Sequence, residues 1–167
     1  MKDIRPDSIA DNVFKLLASD WMLVTAGNLK SCNTMTASWG GFGVLWNKNI
    51  CWCVIRPQRY TFEFMEKADR FTLSFFAEKY REALKICGTK SGRDIDKIAK
   101  TGLTSAETES TAVYFKEARM VIECRKIYFQ DIDPTHFLES WIHNEYPKKD
   151  YHRLYMGEIV RCLVSSK

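Results

Sequence analysis

Strand-like segments follow one another along this chain without the regular strand–helix alternation that a parallel sheet requires, and that order narrows the possible folds more than any other feature. Trp21 to Ala26 reads as a strand closed by Gly27-Asn28, and Asn33 to Ser38 as a second that breaks at Gly40-Gly41. Ile50 to Arg56 is a strongly β-branched and apolar strand that Pro57 ends. Arg70 to Phe76, Ala118 to Phe129 and Tyr151 to Val164 complete the set. Helical spacing is confined to short pieces: Ser8 to Ala18, with Ile9, Val13, Leu16 and Leu17 on one side, then Tyr60 to Ala68, Tyr80 to Cys87, Asp94 to Lys100 and Pro134 to Trp141. Gly88 and Gly92 are expected to separate the third and fourth of these. Strands in this order suit a mainly antiparallel barrel with helical insertions.

The chain has 167 residues, room for one domain of ordinary size, and we expect it to span residues 1–167. Hydrophobic residues make up 46% and charged residues 28%, which supports a packed core and excludes wholesale disorder. The uninterrupted apolar run Ile50 to Ile55 is far short of the roughly 20 residues that span a bilayer. Lys2, Asp3, Arg5, Asp7 and Asp11 leave no apolar stretch for a secretory signal. The expectation is a cytoplasmic protein without a membrane partner. Lys and Arg total 25 against 21 acids, an excess too small and scattered for a nucleic-acid groove, although it would tolerate an anionic small molecule. The six cysteines (Cys32, Cys51, Cys53, Cys87, Cys124 and Cys162) sit mostly in apolar segments and read as free thiols rather than a disulfide framework.

Several signatures fail. Gly41 and Gly43 begin a G-x-G, but the third glycine of a dinucleotide fingerprint is missing. There is no phosphate-binding G-x-x-x-x-G-K-[ST] loop and no G-x-S-x-G elbow. Cys51 and Cys53 would share one strand face, yet structural zinc wants wider spacing and a second ligand pair, and His136, His143 and His152 form no metal pattern. No metal site is expected.

Four segments carry information. In Asn33 to Asn47, NTMTASWGGFGVLWN, a strand end of small polar residues runs into Gly40, Gly41 and Gly43, leaving backbone polar groups open to close approach beside the flat face of Trp39. That suits a pocket for a planar heteroaromatic ring, or else a glycine-rich turn over a core. In RPQRYT, Pro57 can sit in the first turn of a helix. Arg56, Arg59 and Thr61 then gather at a helix N-terminus, where free N–H groups favour an anion such as phosphate; two solvated arginines explain it equally. In CGTKSGRDIDK, Ser91 or Asp94 can cap a helix, while Lys90, Arg93 and Lys97 can form a lid over a phosphate. In DYHRLYMGE, His152 can donate to a ligand carbonyl or pyrophosphate, and an aromatic edge strand at a subunit contact is the alternative.

Together, MTASWGGFGVLWN, RPQRYTFEF with the following RFTLSFF, and CGTKSGRDIDK resemble the flavin reductase-like family with its FMN-binding split-barrel fold, in particular its flavoredoxin-like branch. The resemblance runs from about Trp21 to Glu158. It implies that Asn33, Met35, Thr36, Ala37, Ser38 and Trp39 lie along an isoalloxazine ring, largely through backbone contacts. Arg56, Arg59, Tyr60 and Thr61 would hold the ribityl phosphate, and Ser74, Phe75, Phe76 and Ala77 would close one side. Ser91, Gly92 and Lys97 would reach toward the ligand. Arg56 and Arg59 are basic where many members carry small hydroxyl residues. The resemblance further implies a homodimer with flavins near its interface.

The activity so implied is an NAD(P)H-dependent FMN oxidoreductase in which the flavin itself carries the chemistry, so no side chain need be catalytic and His152 is at most a substrate contact. Three alternatives remain. An electron carrier would take electrons from a redox protein partner. A binding module would have kept the barrel and lost the flavin. A cysteine-based redox enzyme would need a source for a lowered thiol pKa, which neither a C-x-x-C nor a neighbouring His supplies.

Overall fold

The computed structural model describes residues 1–165; positions 166 and 167, the end of the expected domain span, lie outside the described residues. Eight strands form one antiparallel sheet. Seven make a continuous path: β3 (Ser31–Ala37), β2 (Met22–Asn28), β6 (Arg70–Phe75), β9 (Met120–Asp131), β10 (Arg153–Val164), β5 (Lys48–Ile55) and β4 (Gly40–Leu45). The short β1 (Lys2–Ile4) lies against the far half of β10, with Lys2 opposite Val164. A separate hairpin joins β7 (Ser105–Glu107) and β8 (Val113–Phe115).

Alternation along the strands builds two cores. On β2, β6 and β9, the side chains of Met22, Val24, Phe71, Leu73, Phe75, Met120, Ile122 and Cys124 all face one cluster. Cys51, Cys53, Ile55 and Tyr155 reach the same cluster from the other end of the strand path, so the sheet is rolled around it. Cys51 and Cys53 are both fully buried there, as small core residues. Leu23, Phe76, Val121 and Phe115 face outward into a second cluster. That cluster is covered by α3 (Arg81–Thr89), which contributes Ala83, Leu84 and Cys87. Helix α2 (Tyr60–Lys67) adds Met65 to the first cluster.

The antiparallel barrel with helical insertions is what the sequence order predicts, with several boundaries moved. The first helix is shorter than Ser8 to Ala18: Pro6–Ser8 is a 3-10 turn, Ile9 is extended, and α1 (Val13–Lys15) starts only where the Asn12 side chain accepts the Lys15 amide at 3.0 Å. A π-turn, Leu16–Asp20, follows. The break expected at Gly40-Gly41 is instead strand β4, turned back onto β5 through Trp46 and Asn47, both at positive φ. A Cβ at Gly40 would stand 2.5 Å from the Trp52 carbonyl oxygen and one at Gly41 2.6 Å from the Trp52 indole nitrogen, so these glycines permit close pairing. Gly88 does not end a helix but lies inside α3, packed on Thr36. Helix α4 (Lys97–Thr101) is capped by Asp96, whose side chain accepts the Ala99 amide at 3.0 Å, and not by Ser91 or Asp94. Pro57 sits in the turn before α2, since the helix starts only after Arg59. The segment from Pro134 to Trp141 is split between two 3-10 turns, Pro134–His136 and Ser140–Glu145.

Candidate functional site

Strands β3 and β4 end the sheet path on opposite sides, yet only Ser38 and Trp39 separate them in sequence. The chain therefore steps across the place where the barrel fails to close, and a cleft of about 170 Å³ opens there. Met35, Thr36, Ala37, Ser38 and Trp39 line one side, Val54, Arg56 and Arg59 the other, with His152 just ahead of β10. Among the described residues strand β3 pairs only with β2, so its outer edge leaves backbone groups available along this cleft. Trp39 is 44% exposed and its ring lies 5.2 Å from that of His152, tilted by 49°.

The two arginines differ in kind. Arg56 Nη1 donates to Asp150 Oδ2 at 2.6 Å and Nη2 to the Glu145 carbonyl at 2.8 Å, and its guanidinium lies 5.2 Å from the centroid of the Tyr146 ring. Gln58 donates to the same Asp150 oxygen. Arg59 has no such anchor. Its Nη2 is enclosed and has no hydrogen-bond partner among the described residues, and burial draws its pKa down. An enclosed guanidinium nitrogen without an acceptor is costly to maintain, and a phosphate oxygen is well matched to it. Arg56 therefore lines the cleft already engaged in an ion pair, whereas Arg59 lines it with none among the described residues.

Behind this edge a polar cluster holds β3 in place. Asn33 Nδ2 donates to Thr61 Oγ1 at 2.7 Å, and Thr61 is 1% exposed. Thr61 thus braces Asn33 instead of opening on the cleft. Lys97 Nζ donates to the Thr34 and Cys87 carbonyls at 2.9 and 3.0 Å. Burial lowers its pKa to about 8, with the nearby Arg59 charge acting the same way. Gly92 fits against Asn33 and Tyr60, where a Cβ would meet Asn33 Oδ1 at 2.1 Å. Ser91 Oγ accepts the Arg93 amide and closes a local turn. Tyr60, Gly92 and Lys97 instead line an adjoining groove of about 530 Å³ that continues along β3 past Asn33 and Thr34.

The segment expected to close one side does not reach the cleft. Phe75 belongs to the inner core, while Phe76 packs in the outer one and Ser74 is fully buried opposite Leu23 and Val121. Ala77 lines a different hollow with Asp20 and Arg81. Within β6, alternation sends Phe75 to the inner core and Ser74 to the opposite face, while Phe76 and Ala77 lie beyond the end of the strand.

His152 is 8% exposed, and its Nδ1 lies 2.9 Å from the Tyr146 hydroxyl. Burial, then the Arg56 charge, lower its pKa to about 4, so the imidazole is neutral at ordinary pH. Tyr146 and Asp150 are members of this neighbourhood that the sequence pattern did not single out. Asp150 opens the quoted DYHRLYMGE segment, but Tyr146 stands in a 3-10 stretch with no periodic signal. Among the described residues, no cluster of three or more His, Cys, Asp or Glu could hold a metal, and no helix is long and apolar enough to cross a membrane.

Solved structures with this architecture are distant in sequence. An FMN-binding protein from Thermus thermophilus with bound p-hydroxybenzaldehyde superposes with a TM-score of 0.71 at 18% identity, covering 99% of this chain and 83% of the other. Flavoredoxin of Desulfovibrio vulgaris (Miyazaki F) gives 0.69 at 23% identity, with 98% and 78% covered. The NADH:FAD oxidoreductase SgcE6 of Streptomyces globisporus gives 0.67 at 14%, with 87% and 75% covered. No curated protein matches the sequence. These likenesses establish the fold as that of the FMN-binding split barrels. The sequence itself matches the flavin reductase like domain over residues 14–167, and by that match the chain belongs to the flavin reductase-like family.

Proposed function

We propose that this chain binds FMN in the seam cleft and works as an NAD(P)H-dependent flavin oxidoreductase. The observation that carries the reading is Arg59 Nη2, an enclosed donor with no acceptor of its own, at the wall of a cleft that also offers an open strand edge and an exposed indole. Those residues fit the group: Arg59 would hold the phosphate, and the β3 edge from Met35 to Ser38 would meet the polar rim of the ring. Trp39 would cover part of the ring's apolar face. When bound, FMN supplies the hydride-accepting centre and the passage of electrons to an acceptor. The protein's part is to fix position and charge. Lys97 ties Thr34 and Cys87 together behind the edge, and neutral His152 adds a polar but uncharged wall.

The test is visible absorption of the protein incubated with FMN and passed down a desalting column. Flavin bands that survive the column, and bleach on addition of NADH or NADPH, support the reading; a colourless protein overturns it. A second reading, an FMN electron carrier served by a redox protein, is favoured by Leu138 and Trp141. Both stand exposed on the segment that supplies Tyr146, where a partner protein could dock. A bound flavin that neither NADH nor NADPH bleaches would select it. Trp46 and Tyr128, both exposed with ring centroids 6.1 Å apart, are the surface on which we propose self-association as a homodimer, to be checked by sedimentation.

A further inference from the structure

We propose that Tyr146 is a positioning residue: its hydroxyl fixes His152 in the tautomer that keeps Nδ1 bare and presents an Nε2–H donor to the cleft, so that this wall selects a carbonyl oxygen of the molecule that exchanges electrons there. The geometry is local and specific. Tyr146 is 6% exposed, and among the described residues its hydroxyl has one partner, His152 Nδ1, at 2.9 Å. Were Nδ1 protonated, it would donate to the phenol oxygen, and the phenol proton would be left inside the protein without an acceptor. The opposite arrangement satisfies both groups, and a phenol is a much stronger proton donor than a neutral imidazole N–H. Packing leaves little freedom to depart from it. The His152 carbonyl accepts the Ile132 amide at 2.9 Å, and its ring is held between Trp39 and Tyr146 at 5.2 and 5.5 Å.

Among the described residues His152 Nε2 has no protein partner, and the residue lines the cleft, so the donor is offered outward. The charged groups around the pair reinforce its neutrality. Arg56 lies over the Tyr146 ring and disfavours an imidazolium, while Asp150, the carboxylate that could stabilise one, is bonded to Arg56 and Gln58. A neutral, directional N–H suits an uncharged acceptor oxygen better than a phosphate, which Arg59 already answers. What the donor recognises rests on the cleft being the reactive site proposed above; the tautomer does not.

The experiment uses the full chain. Long-range proton–nitrogen correlation spectra of His152 without added flavin should show Nδ1 unprotonated and Nε2 protonated, and Tyr146→Phe should shift the ring toward a mixture of both forms. A protonated Nδ1 in the wild type, or a pattern unchanged by Tyr146→Phe, overturns the proposal. NADH oxidation by the FMN-loaded protein gives the second measurement. Tyr146→Phe should lower kcat/KM about two- to tenfold, the worth of one neutral hydrogen bond. In a His152→Gln background, where an amide N–H replaces the imidazole donor, the same change should cost nothing further. An equal loss in both backgrounds would mean that Tyr146 acts only through packing and would overturn the proposal. Absence of NADH oxidation in the wild type would count against the proposed activity, while the spectra would still decide the tautomer.

Discussion

The closed side of the barrel and its seam are built by the same strands, but they treat polar atoms and space in opposite ways. On the closed side, β10 runs between β9 and β5, and Gly157 sits so tightly that a Cβ would stand 2.6 Å from Cys124 Cβ and 2.9 Å from the Phe71 ring. Tyr155, fully buried there, donates to Glu66 at 2.5 Å. At the seam a guanidinium nitrogen is enclosed without a partner, an indole stands open, and a strand edge lacks a neighbour. Ser74 Oγ on β6 is also enclosed without a partner among the described residues, so what sets the seam apart is an unpaired cation beside an open strand edge and an exposed indole.

The contrast can be broken by substitution. The largest effect should come from Gly157→Val, which forces side-chain atoms into occupied space and should lower unfolding free energy by about 3 kcal/mol in urea titration. A loss below about 1 kcal/mol would show that the closed side yields as readily as the seam. Next, Arg59→Ala should weaken FMN binding about 10- to 100-fold, as expected for a charge-assisted hydrogen bond, with no loss of stability. Arg56→Ala should do the reverse, costing up to about 1 kcal/mol of stability with its Asp150 partner and changing FMN affinity little. Fluorescence titration of both variants decides, and equal losses of affinity would erase the distinction between the two arginines.

A further effect concerns pH. The folded pKa of His152 lies at about 4, below the ordinary 6.5, so between those values the unfolded chain binds a proton that the folded chain refuses. Its contribution to stability is full above pH 6.5 and is lost as the pH falls toward 4. Denaturation midpoints of His152→Gln should accordingly lose part of the wild-type acid slope, up to about 1.4 kcal/mol per pH unit. An identical slope would place His152 outside the buried neutral pair. The smallest effect should be Gly43→Ala on β4, where an added Cβ meets nothing within 4 Å. Removing glycine's freedom in the unfolded chain should stabilise by about 0.5 kcal/mol, and a measurable loss would mean that the exposed end of β4 is as constrained as Gly40 and Gly41.

Much of the sheet could be read from the sequence because its central strands alternate over two buried faces. Leu23 and Val24 illustrate why Trp21 to Ala26 reads so clearly: one enters each core. Strand β4 could not be read, since its glycines resemble a loop until the tight pairing with Trp52 is known. β1, β7 and β8 are three-residue strands with no period to detect. The sequence segments that carry Met35 to Trp39, Arg59 and His152 do meet at one cleft. Whether Arg56 or Arg59 was the open cation was not legible, because that depends on Asp150, 94 positions from Arg56. Ser74 to Ala77 does not line the seam cleft for a related reason: strand alternation gives two faces, and sequence does not say which of them meets the seam.

Strand β10 carries a kinetic consequence. In the strand path, β3, β2, β6 and β9 form one hydrogen-bonded group and β5 with β4 another, and β10 is the strand that pairs with both. It is also the last of the described strands to be synthesised. Until it emerges from the ribosome, the two groups have no backbone bonds between them, and β1 must wait about 160 residues for its partner. Closure of the barrel therefore waits for β10. The half-sheets meanwhile present unpaired edges at β5 and β9, the state in which this chain is most open to aggregation and most dependent on chaperones.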